Sequence, residues 1–124
     1  AIYAACRILQ IVASSKEKVS EMLADIPKMA ATPEIRVDCP DDQKFKIVRE
    51  LTEEFRKGYE VIDIDGVRIK FDNGWALIRA SNTQPVIVFR FEANNADQLD
   101  KIITIVRKVM TQYEPIVTLG HELC

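Results

Sequence analysis

The chain of 124 residues reads as an α+β domain: a mainly antiparallel sheet with two helices on one face. Three observations predict it. From residue 34 the order of apolar patterns is strand, helix, four strands, helix. The strands are short and joined by Asp65-Gly66 and Asn73-Gly74, dipeptides that favour hairpins. Two longer segments place apolar residues at spacings of three and four, as a helix with one buried face requires.

Residues 1–13 carry Ile2, Cys6, Leu9 and Val12 at helical spacing, and Ala13-Ser14-Ser15 ends that stripe. A short helix is expected at about 19–25, with Met22, Leu23 and Ile26 as its apolar side and Pro27 as its stop. Residues 27–33 read as a connector, a domain boundary and a hinge candidate. Ala1 opens in what looks like mid-helix, with no capping residue, so the chain is expected to be an excerpt of a longer protein.

Glu34-Ile35-Arg36-Val37-Asp38 alternates polar and apolar as a strand does. Pro40-Asp41-Asp42 opens a helix, with proline at its start and acids near the positive end of its dipole. Its expected buried stripe is Phe45, Val48, Leu51 and Phe55, flanked by Ile47, with Gly58 as the stop signal. Strands follow at 61–63, 67–71, 75–79 and 86–93. In the last, Ile87, Phe89 and Phe91 share one face, and Val86, Val88, Arg90 and Glu92 the other. Asn95 caps the final helix, with Gln98 three residues on and a stripe of Leu99, Ile102, Ile103, Val106 and Met110. A tail at 113–124 has no assigned place.

Composition narrows the function classes. The chain is 48% hydrophobic and 29% charged, with a net charge of −2. It lacks the basic excess of a nucleic-acid binder, and Arg68, Lys70 and Trp75 are too few to make a binding face. It also lacks a run of about 18 apolar residues, so no membrane partner is expected. Cys6, Cys39 and Cys124 are odd in number and widely spaced, which fits neither a disulfide framework nor a zinc site. Free thiols in the cytoplasm are the expectation. Asp63, Asp65 and Asp72 read as turn chemistry, because a calcium loop counted from Asp63 would need a carboxylate where Gly74 stands. His121, alone in the tail, reads as solvated, and Trp75 as packing.

One loop stands apart. RASNTQP, residues 79–85, joins two strands without a glycine. Arg79 offers a planar fork of donors that matches phosphate or carboxylate oxygens. Ser81, Asn82 and Thr83 add further donors, and the loop contains no acid to compete for the arginine. An oxyanion ligand is one reading; a solvated hairpin end, where Ser, Asn, Thr and Pro are common, is the other. The residues by themselves leave both open.

Asp65-Gly66-Val67-Arg68-Ile69, Trp75, Arg79-Ala80-Ser81-Asn82-Thr83-Gln84-Pro85 and Arg90-Phe91-Glu92-Ala93 together resemble the C-terminal domain of the α-D-phosphohexomutases, the phosphomannomutase/phosphoglucomutase family. Thr32-Pro33-Glu34-Ile35-Arg36 resembles the start of that domain. Gln84 stands where the family pattern usually has glutamate, which removes a negative charge beside an anion. The resemblance covers residues 30–112 and implies that residues 1–29 close a preceding third domain. It further implies a four-domain enzyme that interconverts hexose 1-phosphate and hexose 6-phosphate through a phosphoserine, with Mg2+ bound in another domain. The serine, metal and sugar loops of such an enzyme are absent from these residues. What is implied here is the grip on the substrate phosphate by Arg79, Ser81, Asn82 and Thr83, with Arg90 in support, and no phosphoryl transfer by this fragment alone. The implied partners are a phosphorylated hexose and the other three domains. A phosphoglucosamine-type mutase domain, or a non-enzymatic small-molecule module, is the alternative. Centring the hairpin between Asn82 and Thr83 would put Arg90 opposite Trp75, away from Arg79.

Overall fold

The computed structural model describes residues 1–113; the remainder of the tail, with Pro115, His121 and Cys124, lies outside them. In chain order the elements are α1 (Ile2–Ser14), β1 (Ala30–Ala31), β2 (Ile35–Asp38), α2 (Asp41–Arg56), β3 (Glu60–Ile62), β4 (Val67–Phe71), β5 (Gly74–Ala80), β6 (Val86–Ala93) and α3 (Ala96–Met110). A single 3-10 turn, Thr111–Tyr113, follows. The order strand, helix, four strands, helix from residue 35 is the expected one, with β1 as an addition too short to show a pattern.

The strands form one antiparallel sheet in the order β1-β6-β5-β4-β3, with β2 also pairing β6 beyond β1. Alternation sends Val67, Ile69, Ala76, Ile78, Ile87, Phe89 and Phe91 to one face, where all are buried. Helix α2 covers that face with Ile47, Val48, Leu51 and Phe55, and α3 covers it with Ile102, Val106 and Met110. Cys39 is buried at the end of β2, and burial is the first cause that pushes its thiol up, followed by the charge of Asp42. Among the described residues, no helix covers the opposite face of the sheet.

Helix α3 starts as expected, with the Asn95 side chain accepting from the Gln98 backbone N–H at 3.0 Å. Helix α2 corrects one expectation. Phe45 is 51% exposed, while Lys44 is only 3% exposed and takes the inward place. Residues 19–25 form turns and no helix. Val19, Leu23 and Ile26 are exposed there, and so short a helix is marginal without a surface to pack on. The hinge expectation narrows as well. Ala30 and Ala31 pair with β6, and Thr32 both donates to and accepts from the Phe91 backbone. Within the connector, residues 30–32 are thus held to β6, while 27–29 pair with no strand. Helix α1 forms as expected but buries none of its residues within the described structure.

Two glycines at the hairpin ends are fixed by crowding. Gly66 has φ +80°, and a Cβ there would stand 2.3 Å from the Ile78 carbonyl oxygen and 2.6 Å from Arg79 Cβ. Gly74 is the first residue of β5, not a turn residue: a Cβ would stand 2.2 Å from the Glu92 carbonyl oxygen. Asp72 and Asn73 make that turn with negative φ, so the expected Asn-Gly hairpin forms one residue earlier than its dipeptide suggests.

Candidate functional site on the open sheet face

The uncovered face is arginine-rich, and the sheet register explains why. In one row across the strands, Arg68 of β4 and Arg90 of β6 flank Leu77 of β5. In the next row, Arg79 of β5 and Arg36 of β2 flank Val88 of β6. Cations thus alternate with apolar residues across the strands and along β5 and β6, while β4 presents Arg68 and Lys70 in succession. Strands about 4.8 Å apart put two arginines separated by one strand roughly 10 Å apart at their backbones, close enough for their guanidinium groups to converge. Beside Arg68, Arg79 and Arg90 lies an open depression of about 340 Å³, lined also by Ile62, Leu77 and Val88 and by the acids Glu34 and Asp65.

Arg90 is therefore not where the hairpin estimate put it. It faces Leu77, diagonal to Arg79, and lines the same depression. Pro85 is the physical reason. It has no N–H, so the ladder cannot begin there; the Val86 N–H turns back to the Gln84 carbonyl and the Ser81 N–H closes on the Val86 carbonyl. The turn shifts toward the C-terminal side, and every pair in the hairpin shifts with it.

Each arginine has a different environment. Arg79 Nη1 donates to Asp65 Oδ2 at 3.0 Å, with side chains 40% and 65% exposed. The loop itself contains no acid, as its sequence shows, but the β3–β4 connection brings Asp65 to Arg79 from outside it. Arg68 lies over the Trp75 ring, 4.6 Å from its centroid. Arg36 donates to Glu34 and to the Gln84 side-chain carbonyl, at 2.9 and 2.8 Å. Arg90 has no ion-pair partner among the described residues.

The polar loop at the end of this face is held from behind. Ser81 is buried, and its Oγ accepts from the backbone N–H groups of Thr83 and Gln84 at 3.4 and 3.2 Å. Those two amides are engaged within the loop, and the Ser81 hydroxyl donates to no acceptor among the described residues. Asn82 and Thr83 are exposed. The buried Lys44 ammonium donates to the Gln84 backbone carbonyl at 2.9 Å and to Asp41 at 2.6 Å. The Cys39 N–H donates to the Pro85 carbonyl at 2.8 Å. Of the expected site residues, Arg79 and Arg90 share the depression, and Ser81, Asn82 and Thr83 occupy the loop that follows Arg79. Arg36, Lys44, Asp65 and Arg68 were missed as parts of this arrangement.

The magnesium implied by the resemblance does not fit the described residues. They bring no three ligating side chains together, and Asp63 and Asp65 are paired with Arg56 and Arg79. No helix among them is long and apolar enough to cross a membrane.

Fold and face define a two-layer α+β domain with an arginine-studded open sheet and a braced polar loop at its rim. The chain belongs to the phosphoglucomutase/phosphomannomutase family, whose C-terminal domain model matches residues 34–109. It is 39% identical to a phosphomannomutase/phosphoglucomutase of Pseudomonas putida, over 92% of this chain and 25% of that protein. A phosphoglucomutase of Neisseria gonorrhoeae is 38% identical over 82% of this chain and 22% of its own length. A probable phosphoglucosamine mutase of Methanopyrus kandleri is 36% identical over 76% of this chain and 22% of its own length. Among solved structures, a phosphoglucomutase/phosphomannomutase family protein of Burkholderia thailandensis superposes with TM-score 0.68 at 30% identity, covering 91% of this chain and 24% of that one. The chain thus spans about a quarter of the length of the relatives it matches.

Proposed function

We propose that this chain is the phosphate clamp of a hexose-phosphate mutase. In this reading the whole enzyme interconverts hexose 1-phosphate and hexose 6-phosphate in the cytoplasm. The transferred phosphoryl group, the serine that carries it and the magnesium ion belong to other domains. The observation that carries the reading is the convergence of Arg68, Arg79 and Arg90 on one depression beside the 81–84 loop. Arg79 makes the first charge-assisted contact; Arg90, Ser81, Asn82 and Thr83 add donors. Arg68 is shared with the Trp75 ring and supplies mainly field. Hydrogen bonds to a charged group net about 1.5–3 kcal/mol each. Two or three, after the costs of association, give a roughly millimolar affinity. A clamp that must release its phosphate for the sugar to turn over is suited by such weak binding. The Methanopyrus relative keeps an amino-sugar phosphate as the second reading for the substrate.

Titration of ¹⁵N-labelled chain with glucose 1-phosphate, with glucose as control, tests the reading. Shifts at residues 79–83 and 90 with the phosphate ester alone are expected. Arg79→Gln is expected to weaken binding about ten- to a hundredfold, the loss of one charge-assisted bond. Equal shifts with plain glucose, or no change on replacing Arg79, would refute it.

A further inference from the structure

Among the described residues, Asp65 is the acid that pairs with an arginine lining the depression; Glu34, also in its lining, pairs with Arg36 outside it. It is held there by construction. Gly66, beside it, has a positive φ and stands so close to β5 that a Cβ would meet Arg79 Cα at 2.7 Å and Arg79 Cβ at 2.6 Å. The backbone turn after β3 is pressed against the backbone of Arg79, and the Asp65 carboxylate reaches the guanidinium from that position. Two independent features, a crowded glycine and an ion pair, meet at one residue of the proposed clamp.

We propose that Asp65 is an internal counterion that occupies Arg79 until a phosphate displaces it, and so sets the clamp's affinity. The inference rests on the phosphate-clamp reading. A carboxylate and a phosphate compete for the same Nη donors. Because both side chains are largely solvated, the pair is weak enough to yield, and its competition costs the ligand only a small factor. Asp65→Asn separates charge from geometry. The amide oxygen still accepts from Arg79 Nη1, but the negative charge is gone.

The experiment is a double-mutant cycle on the chain, with Asp65→Asn, Arg79→Gln and the pair together, each titrated with glucose 1-phosphate by NMR. Asp65→Asn is expected to tighten binding about two- to fivefold, the range for an exposed ion pair, and the gain is expected to shrink in concentrated salt. In the Arg79→Gln background the same change is expected to do almost nothing. Unchanged or weaker binding by Asp65→Asn, with Arg79→Gln still damaging, would overturn the counterion proposal and leave the clamp standing. An equal gain in both backgrounds would overturn it too, because Asp65 would then act by general repulsion. Indifference to Arg79→Gln, or no binding by any variant at tens of millimolar, would overturn the clamp reading and the counterion with it. Conserved amide dispersion in β4 and β5 checks that the variants fold.

Discussion

Replacing Gly66 with alanine tests whether the turn that carries Asp65 is as tightly built as its geometry implies. The φ of +80° lies in the left-handed region, which costs an L-residue about 1–2 kcal/mol. The new Cβ would also stand 2.3 Å from the Ile78 carbonyl oxygen and 2.7 Å from Arg79 Cα. Both are backbone atoms, so no side-chain rotation relieves the overlap, and forced overpacking adds about 1–3 kcal/mol. The expected loss is about 2–5 kcal/mol, a large part of the stability of an ordinary domain. A 3 kcal/mol loss corresponds to a fall in Tm on the order of 10 °C. Equilibrium unfolding in urea reads the difference directly. Gly58→Ala is the internal control: it has no positive φ, and nothing lies within 4 Å of its Cβ position. That change is expected to be neutral or to stabilise by about 0.4–1 kcal/mol through the unfolded chain. A Gly66→Ala loss below about 1 kcal/mol, or equal effects at both glycines, would refute the claim that β4 and β5 clamp the turn against Arg79.

Lys44→Met keeps the buried stem but removes the ammonium that holds the Gln84 carbonyl. Global stability is expected to change by less than about 2 kcal/mol, because losing the contacts is offset by no longer burying a charge. Amide exchange at Thr83 and Gln84, measured by NMR, is expected to accelerate about tenfold as the loop loosens, near the worth of one such bond. Tyr113 supplies a pH dependence: burial first, then the charge of Glu50 and the bond its hydroxyl donates to that carboxylate, push it up to about 12. Since the folded state holds the proton more tightly than the unfolded chain, whose tyrosines titrate near pH 10, its contribution is full below about pH 10 and lost as pH rises toward 12. The stability difference between wild type and Tyr113→Phe, from urea unfolding, is therefore expected to shrink between pH 9 and 11.5; a constant difference would contradict the assignment.

Most of the fold was legible because its signals are local. The alternation of residues 86–93 assigned both faces of β6, and Asn95 with Gln98 marked the start of α3. The departures occur where tertiary contacts outweigh a local pattern. At α2 the periodicity alone favoured Phe45 as a buried residue. Yet Lys44 is drawn inward by two oxygen acceptors, one of them forty residues away in sequence, and Phe45 is left at the surface. At residues 19–25 the pattern was helical, but no surface in the described structure receives it. At the β5–β6 hairpin, Pro85 moved the register, an effect available from the rule that proline cannot donate to a ladder.

The site shows the same division more sharply. Arg79 and the loop after it could be singled out because they are contiguous, and donors without an internal acid are a pattern in one stretch of sequence. The alternation of arginines with Leu77 and Val88 is a property of register, spread over four strands, and no single strand displays it. Asp65 was nonetheless within reach of a register argument. The β4–β5 hairpin turns at Asp72 and Asn73, so extending its ladder past Val67 opposite Ile78 brings Gly66 to Arg79 and Asp65 beside it. The acid missing from the loop is thus supplied by the neighbouring turn, at a position fixed by how closely a glycine lets two backbones approach. The environment of Arg79 therefore depends on the fit between two hairpins as much as on the loop that follows it.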